Sequence, residues 1–399
     1  MKTDRSILHL DMDTFFVSVE RRNNDILNGK PVLIGHNGNR GVVASCSYEA
    51  RVFGIHSAMP MKLAKELCPE AIILRGNHED YTKYSNIVSE IIRESVPVFE
   101  KTSIDEFYAD LTGMDQFFGC LKMASELREN IIKHTGLPVS FGLSQNKTVS
   151  KVATGEAKPN NQKKIEYGLE RAFLAPLSIR KIPMIGDKAY QTLSALGVRK
   201  VKVLQKMPVE MLEKVFGKNG RMMWQKANGI DNSPVEPYSE RKSISSERTF
   251  GTDTTDPIYL KRIILTMTEH LAFQLRKEGK LTACIAVKVR YSDFNTHTLQ
   301  ARMPYCSADH ILIPKALELF EKLFDKRLLV RLVGVRFSHL VHGNHQINLF
   351  DDTEDMINLY QAIDHIKKKH GDQKVLKAAA LGVDAVRTFN PFKGEIITA

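Results

Sequence analysis

Two acidic motifs constrain this chain more than any other feature. They are Leu8-His9-Leu10-Asp11-Met12-Asp13 and, about 90 residues later, Ser103-Ile104-Asp105-Glu106, each joined to a strand-like run. Carboxylates that converge without a cation repel one another and raise each other's pKa values. A fold that gathers Asp11, Asp105 and Glu106 therefore needs a compensating charge. Two divalent metals held about 4 Å apart would supply it, and would also form a clamp for in-line attack on a phosphate. The chain has to place the end of its first strand beside the start of the strand that follows Asp105.

The hydrophobic pattern predicts how. Ile7–Leu10 reads as a short buried strand, and Asp13–Glu20 opens a helix behind it. Strands Pro31–Ile34 and Val42–Cys46 belong to a small loop-rich insert that runs to about Gly76. Apolar positions Tyr81, Tyr84, Ile87, Val88, Ile91 and Ile92 recur at helical spacing over His78–Ser95. Strands Val98–Lys101 and Glu106–Leu111, a helix Met114–His134 and strand Val139–Leu143 follow. The order β-α-β-β-α-β, with an α/β insert after the first helix, is a ferredoxin-like sheet. On it the first and third strands are neighbours, so Asp11 and Asp105 should face each other.

Downstream, Leu169–Ile230 is helical with Gly/Pro punctuation. Ile182–Lys188 and the Leu193–Val198 stretch after it resemble a helix-hairpin-helix, in which a tight turn offers backbone N–H groups to a phosphate. Gly186 and Lys188 are its candidate DNA contacts, and Met184 stands where a Gly is common. Asp231–Ser243 is polar, contains Pro234 and Pro237, and reads as a linker that carries Arg241 and Lys242. A second α+β module then spans 243–340, with strands Ala283–Tyr291, Thr296–Met303 and Leu332–His339 and helices Ile258–Lys277 and Ile313–Lys326.

Charge separates these parts. The net +11 is absent from residues 1–166, which hold 21 basic and 21 acidic side chains. Residues 167–242 hold 14 against 7, and 243–340 hold 15 against 10. A basic excess confined to the middle of the chain suits a phosphate backbone, although a solvated basic face would read the same way. Five scattered cysteines without a CxxC pair argue for reduced thiols and against a zinc site. With no run of 18 apolar residues and a polar start, the expectation is a cytoplasmic protein with no membrane segment.

Four motifs carry a family resemblance. Asp11-Met12-Asp13-x-Phe15-Phe16-x-Ser18-Val19-Glu20, Tyr48-Glu49-Ala50-Arg51-x-Phe53-Gly54, Ser103-Ile104-Asp105-Glu106 and Ala157-Lys158-Pro159-Asn160 occur in that order. Together, over roughly residues 5–340, they resemble the Y-family translesion DNA polymerases, most closely the DinB, or DNA polymerase IV, group. The resemblance implies a multidomain α+β architecture: a ferredoxin-like palm (1–18 and 78–166), small α/β fingers (19–77), a helical helix-hairpin-helix thumb (167–232), a linker (233–242), an α+β little finger (243–340) and a tail (341–399). It implies template-directed, low-fidelity addition of dNMP to a primer 3′-OH, without a proofreading exonuclease, in a monomer that acts on primer–template DNA at the bacterial nucleoid.

The resemblance also assigns roles. Asp11, Asp105 and the Met12 backbone carbonyl would hold the metal that arrives with the dNTP, and Asp11, Asp105 and Glu106 the second, both Mg²⁺ with Mn²⁺ as a substitute. Asp13 is left out of this ligand set, since it could equally cap the helix that begins behind it. Tyr48, Arg51 and Lys158 would grip the triphosphate. Phe16, preceded by Phe15, occupies the steric-gate position that excludes a 2′-hydroxyl. Arg336, with Gly186, Lys188, Arg241 and Lys242, is expected to touch DNA. Departures from the family pattern are Thr14, Ser45-Cys46-Ser47, Phe107 and Gly155.

In the tail, Gln346-Ile347-Asn348-Leu349-Phe350 matches a sliding-clamp peptide, with Gln346 as anchor and Leu349 and Phe350 as apolar plugs. Gln346–Asp352 and the predicted helix Asp355–His370 resemble the C-terminal region of the polymerase V catalytic subunit, which makes an accessory protein a possible tail partner. Two rivals share part of the pattern. A nucleotidyl cyclase also sets two aspartates on a ferredoxin-like sheet but has no use for the hairpin, the basic module or the clamp peptide. A non-catalytic DNA-binding scaffold would not need all three carboxylates.

Overall fold

Ile7–Met12 is a strand with both faces covered, and its register organises the first half of the molecule. The computed structural model describes residues 5–38, 40–114, 119–237, 240–325, 327–343, 353–371 and 374–382. The clamp-peptide residues Gln346, Leu349 and Phe350 lie outside the described residues. The chain forms two compact units that part at residues 239 and 240.

In the first unit the strands are β1 (Ile7–Met12), β2 (Val32–Gly35), β3 (Val43–Cys46), β4 (Ile72–Leu74), β5 (Phe99–Lys101), β6 (Glu106–Asp110), β7 (Val139–Ser144) and β8 (Gln162–Lys164). The main sheet is ordered β5-β6-β1-β7-β8, the ferredoxin-like arrangement with β8 added beside β7. β1 is antiparallel to both of its neighbours. Alternation along β1 sends Leu8, Leu10 and Met12 into a core shared with helices His78–Ser95 and Cys120–Thr135. Ile7, His9 and Asp11 therefore face the other way, as do Glu106 and Tyr108, their partners by register on β6.

That second face is covered by a helix the sequence reading did not contain, Lys147–Ala157. Its β-branched, Ser/Thr-rich sequence hides the period, but Asn146 caps it by accepting from the Val149 N–H at 3.0 Å. The helix crosses β7 at Gly142, where a Cβ would stand 2.2 Å from the Ser150 carbonyl oxygen and 2.6 Å from the Thr154 nitrogen. Only glycine allows so close an approach, and that approach fixes the height of Lys151 and Lys158 over the sheet.

Other boundaries differ from expectation in detail. The helix expected from Met114 begins at Cys120, after Gly119 takes a left-handed φ of 79°. The insert is more regular than its loops suggested: β2, β3 and β4 form a sheet ordered β3-β2-β4, with the short helices Tyr48–Arg51 and Met61–Leu67. The start of the expected linker is pinned down, with Val235 buried beside Ile7 and Tyr108 and the Pro234 carbonyl accepting from Lys147 Nζ at 3.2 Å. In the helical segment Met184 takes a φ of 82°, the conformation for which a glycine is usual at such a turn.

The second unit holds β9 (Ser243–Thr254), β10 (Lys280–Tyr291), β11 (Thr296–Cys306) and β12 (Val330–His342), ordered β11-β10-β12-β9. β9 is not among the strands the sequence pattern predicts for this module, because its alternation is mostly polar and exposed. Helices Pro257–Lys277 and Asp309–Leu323 cover one face of this sheet around Leu271, Leu275 and Phe320. A further helix, Thr353–His370, is also part of this unit.

Two glycines give opposite expectations. Gly142→Ala should destabilise the first unit by about 2–3 kcal/mol through overpacking against backbone. Gly155→Ala, helical and with nothing near its missing Cβ, should stabilise by roughly 0.5–1 kcal/mol. Urea unfolding of both variants checks the pair, and equal effects would mean that the crossing at Gly142 is not as tight as described.

Candidate active site

The β1–β6 register sets Asp11 opposite Glu106. Asp105 stands one residue before β6, and its carbonyl accepts from the Met12 N–H at 3.0 Å. The three acids are thus held by backbone pairing. Ser103 tightens the turn: its hydroxyl donates to Asp105 Oδ1 at 2.5 Å and accepts from the Glu106 N–H at 2.9 Å.

Helix Lys147–Ala157 and the residues after it bring two cations to these acids. Lys158 Nζ donates to Asp11 Oδ1 and lies 3.7 Å from Asp13 Oδ1. Lys151 Nζ donates to Glu106 Oε2 at 2.5 Å. Lys151 had no place in the sequence reading. Its signal is available only as a lysine seven residues before Lys158, a spacing of two helical turns.

Burial pushes the Asp11 carboxyl up to about 7; Lys158 pulls it down, and Asp105 and Glu106 add to the rise. Burial likewise raises Asp105, opposed by the Ser103 hydrogen bond and reinforced by Glu106. These groups stand in a pocket where charge is expensive and a cation is worth most. Three carboxylates on a desolvated face are a hard oxygen donor set suited to a divalent metal. Among the described residues, no three His, Cys, Asp or Glu side chains are arranged to close on a metal ion in this conformation. Lysines hold two of the three acids instead, so the donors fit by chemistry and are not drawn together around an ion.

Beneath the acids lies His9, fully buried, with Nδ1 2.8 Å from the Thr154 hydroxyl, Nε2 4.0 Å from Glu106 Oε2, and its ring against Tyr108. Burial, then Lys151 and Lys158, hold its pKa well below the usual histidine value, so the ring is neutral.

The remaining residues fall into place around this centre. Phe15 is a core residue, whereas the half-buried Phe16 stacks on Tyr81 with centroids 4.2 Å apart and planes 10° apart. Tyr81 is pinned by donating to Glu20 Oε1 at 2.6 Å, so Glu20 of the first motif steadies Phe16 from one turn away. Tyr48 donates to Asp13 Oδ1 at 3.2 Å; burial, then Asp13, push its pKa above the usual tyrosine range. The guanidinium of Arg51 lies 5.1 Å from the Tyr48 ring centroid, and Arg51 is exposed. Asp13 does not cap the helix behind it. Thr14 is the cap residue, with φ 43° and no side-chain cap bond, and the Asp13 carboxylate turns toward Tyr48. Phe107 is fully buried in the core.

The DNA candidates lie elsewhere. Gly186 precedes helix Asp187–Ala195, with Lys188 in its first turn, beside a cleft lined by Lys151, Gly155, Arg180 and Lys181. In the second unit Lys242 and Arg336 line a groove on the sheet with Lys288, Thr298 and Gln300. Arg241 is ion-paired to Glu278 at 3.0 Å. No helix of the described residues is long and apolar enough to cross a membrane.

The chain is similar to known proteins over most of its length. Residues 10–155 match the impB/mucB/samB family and residues 241–349 match that family's C-terminal domain. The chain is 38% identical to a DNA polymerase IV of Dehalococcoides mccartyi over 375 residues, 93% of this chain and 96% of that protein. It is 41% identical to a DNA polymerase IV of Lactococcus lactis subsp. cremoris over 346 residues, 84% of this chain and 94% of the relative. Among solved structures, a Y-family DNA polymerase chimera of Dbh and Dpo4 superimposes with a TM-score of 0.77 at 26% identity, covering 85% of this chain and all of the chimera.

The buried neutral His9 gives a pH signature. Its folded pKa is depressed, so below the ordinary value of 6.5 the unfolded chain takes up a proton that the folded chain refuses. Stability from this residue is complete above that value and falls as the pH drops, by about 1.4 kcal/mol per unit. Asp11, raised to about 7, titrates in the same window with the opposite sign but is common to both proteins. Urea unfolding between pH 7.5 and 5.5 should therefore show the native chain losing stability relative to His9→Phe by this amount. An identical slope in both would mean that His9 is not held neutral.

Proposed function

The chain belongs to the impB/mucB/samB family and is a translesion DNA polymerase of the Y-family, in the DNA polymerase IV group, and from that premise we propose that it extends primers by two-metal nucleotidyl transfer during DNA repair. The observation that carries this reading is the apposition of Asp11, Asp105 and Glu106 by strand register, beneath two exchangeable lysines. Two divalent metals, Mg²⁺ with Mn²⁺ as a substitute, would be held by Asp11, Asp105, Glu106 and the Met12 carbonyl, lowering the pKa of the primer hydroxyl and neutralising charge on the leaving pyrophosphate.

The chain's own residues do the rest. Lys158 would leave Asp11 for a triphosphate oxygen, an exchange open to a flexible ammonium with three rotatable donors. Tyr48 and Arg51 complete the grip, and because charge grows on the leaving group, their contribution extends to turnover. Phe16, braced by Tyr81, would lie under the sugar and exclude a 2′-hydroxyl. The 19–77 fingers are too small for an extensive lid over the nascent base pair, which agrees with low fidelity and tolerance of damaged templates.

The same reading assigns the palm to 1–18 and 78–166, the thumb to 167–232 and the little finger to 243–340. Gly186, Lys188, Arg241, Lys242 and Arg336 would hold primer–template DNA mainly through its backbone, so affinity should fall steeply with salt. Gln346, Leu349 and Phe350 would engage a sliding clamp, with tethering on DNA offsetting a weak peptide contact. A cytoplasmic monomer at the nucleoid is the expected form.

Extension of a labelled primer–template with Mg²⁺ and four dNTPs tests the proposal. Asp105→Ala/Glu106→Ala should lower extension on the order of 10³-fold or more while DNA binding persists. Extension that survives the double change would remove these acids from the chemistry. Phe16→Ala should raise ribonucleotide incorporation by at least about tenfold with dNTP extension largely kept. Unchanged sugar discrimination would discard the steric-gate assignment.

A further inference from the structure

Asp13 lies two residues from Asp11, yet its carboxylate is committed elsewhere. The residue is fully buried. Oδ2 accepts from the Ser140 hydroxyl at 2.7 Å and from the Asn160 N–H at 2.6 Å. Oδ1 accepts from the Tyr48 hydroxyl at 3.2 Å and lies 3.7 Å from Lys158 Nζ. Those partners come from three separate segments: the short helix Tyr48–Arg51, strand β7 and the loop after helix Lys147–Ala157. A buried carboxylate is tolerated only when its oxygens are satisfied, and here both are.

The loop is fixed from its other side as well. Asn160 has a left-handed φ of 46°. Arg128 donates to the Asn160 carbonyl at 2.7 Å, to its side-chain oxygen at 2.6 Å, and to the Val139 carbonyl at 2.7 Å. Lys158-Pro159-Asn160 is thereby clamped between a buried carboxylate and a guanidinium that is itself tied to β7.

We propose that Asp13 is a positioning residue for the incoming nucleotide: it sets Tyr48 and the Lys158–Asn160 loop in place before a triphosphate arrives, and it is not a metal ligand. This rests on the reading of Tyr48 and Lys158 as triphosphate contacts. The phenol has one proton, now given to Asp13; with nucleotide bound it turns to a phosphate oxygen. The Ser140 and Asn160 bonds need not change, so Asp13 continues to hold the base of the Lys158 loop after Lys158 itself has left Asp11. Its contribution is preorganisation, removing the need to order two distant side chains at the moment of binding.

The test measures dNTP affinity on primer–template ending in a dideoxynucleotide, so that no chemistry follows, together with affinity for the DNA alone. Asp13→Asn should weaken dNTP binding about tenfold or more, the effect of losing a charge-assisted hydrogen bond, with DNA affinity unchanged. Arg128→Met, which loosens Asn160 without touching Asp13, should give a loss of the same kind and keeps the proposal testable if the Asp13 variant folds poorly. In a Lys158→Met background, Asp13→Asn should cost less than in the native chain, because the share that acts through the Lys158 loop is already gone and only the share through Tyr48 is left.

An equal loss in both backgrounds, or a parallel loss of DNA affinity, would assign Asp13 a general structural role and overturn the proposal. So would dNTP affinity within twofold of the native chain in both Asp13→Asn and Arg128→Met. If Lys158→Met alone leaves dNTP affinity unchanged, the triphosphate assignment fails first, an outcome distinct from failure of the role given to Asp13.

Discussion

Three carboxylates meet where β1 ends and β6 begins, and the surrounding structure is arranged around the charge they create. Backbone pairing forces Asp11 beside Glu106 and Asp105 beside Met12, so the acids cannot separate to relieve repulsion. Burial raises the difficulty by pushing Asp11 up to about 7. Relief comes from the helix that crosses β7 at Gly142, which delivers Lys151 to Glu106 and, just past its end, Lys158 to Asp11. A partly buried ion pair of this kind contributes little net stability, because desolvation offsets attraction. That balance suits a catalytic site, since a partner held weakly in net terms can be exchanged at low cost. Lysine fits the task better than arginine, whose bidentate fork would bind a carboxylate more durably.

A second consequence follows for the first motif, in which nearly every residue has a mechanical reason. Leu10 and Met12 face the core while Asp11 faces the site, by the alternation of a strand. Asp13 holds Ser140 and Asn160. Thr14 takes the left-handed conformation that turns strand into helix, and Ser18 bonds back to the Asp13 carbonyl at 2.7 Å to close that turn. Phe16 and Glu20 are one turn apart and meet through Tyr81. The short helix is therefore less a core element than a bracket between the acidic face and the ring proposed to meet the sugar.

The parts legible in the sequence were those with strong periodicity or dense acidic signals. His78–Ser95 is legible to its ends because six apolar residues repeat at helical spacing. The pairing of β1 with β6 follows from topology, although the register sets Asp11 opposite Glu106 and Asp105 beside Met12. What escaped reading were elements whose local chemistry points the wrong way. Lys147–Ala157 is rich in Ser, Thr and Val, so its helix is imposed by packing on β1 and β7 and by the Asn146 cap; Lys151, Thr154 and the salt bridge to Glu106 were lost with it. β9 is a strand with one wet face, and its polar residues give no strand signal beside the apolar runs of its neighbours. Asp13 was ambiguous because its partners Tyr48, Ser140 and Asn160 are scattered over more than a hundred residues, and only the fold brings them to one carboxylate.

The C-terminal helix Thr353–His370 follows the same logic of buried charge, within the second unit. Arg276 is almost fully buried and bonds to Asp309 and Asp364, while Lys367 pairs with Glu269 in a similarly closed position. Tyr360 stacks on His310, and its hydroxyl accepts from the His310 N–H at 3.0 Å. Apolar contact alone would let an amphipathic helix slide along its neighbours, because one leucine replaces another at little loss. Paired charges do not slide: a shift of one turn would leave Asp364, Lys367 and Glu269 buried without partners, at several kcal/mol each, and Arg276 with Asp309 alone. These pairs therefore specify one register for the helix. Ala380, packed against Leu265 and Ile313, extends the attachment beyond its end. The described part of the tail is thus an integral layer of the second unit, and a protein that took hold of this helix by its buried face would have to supply replacement partners for Asp364 and Lys367.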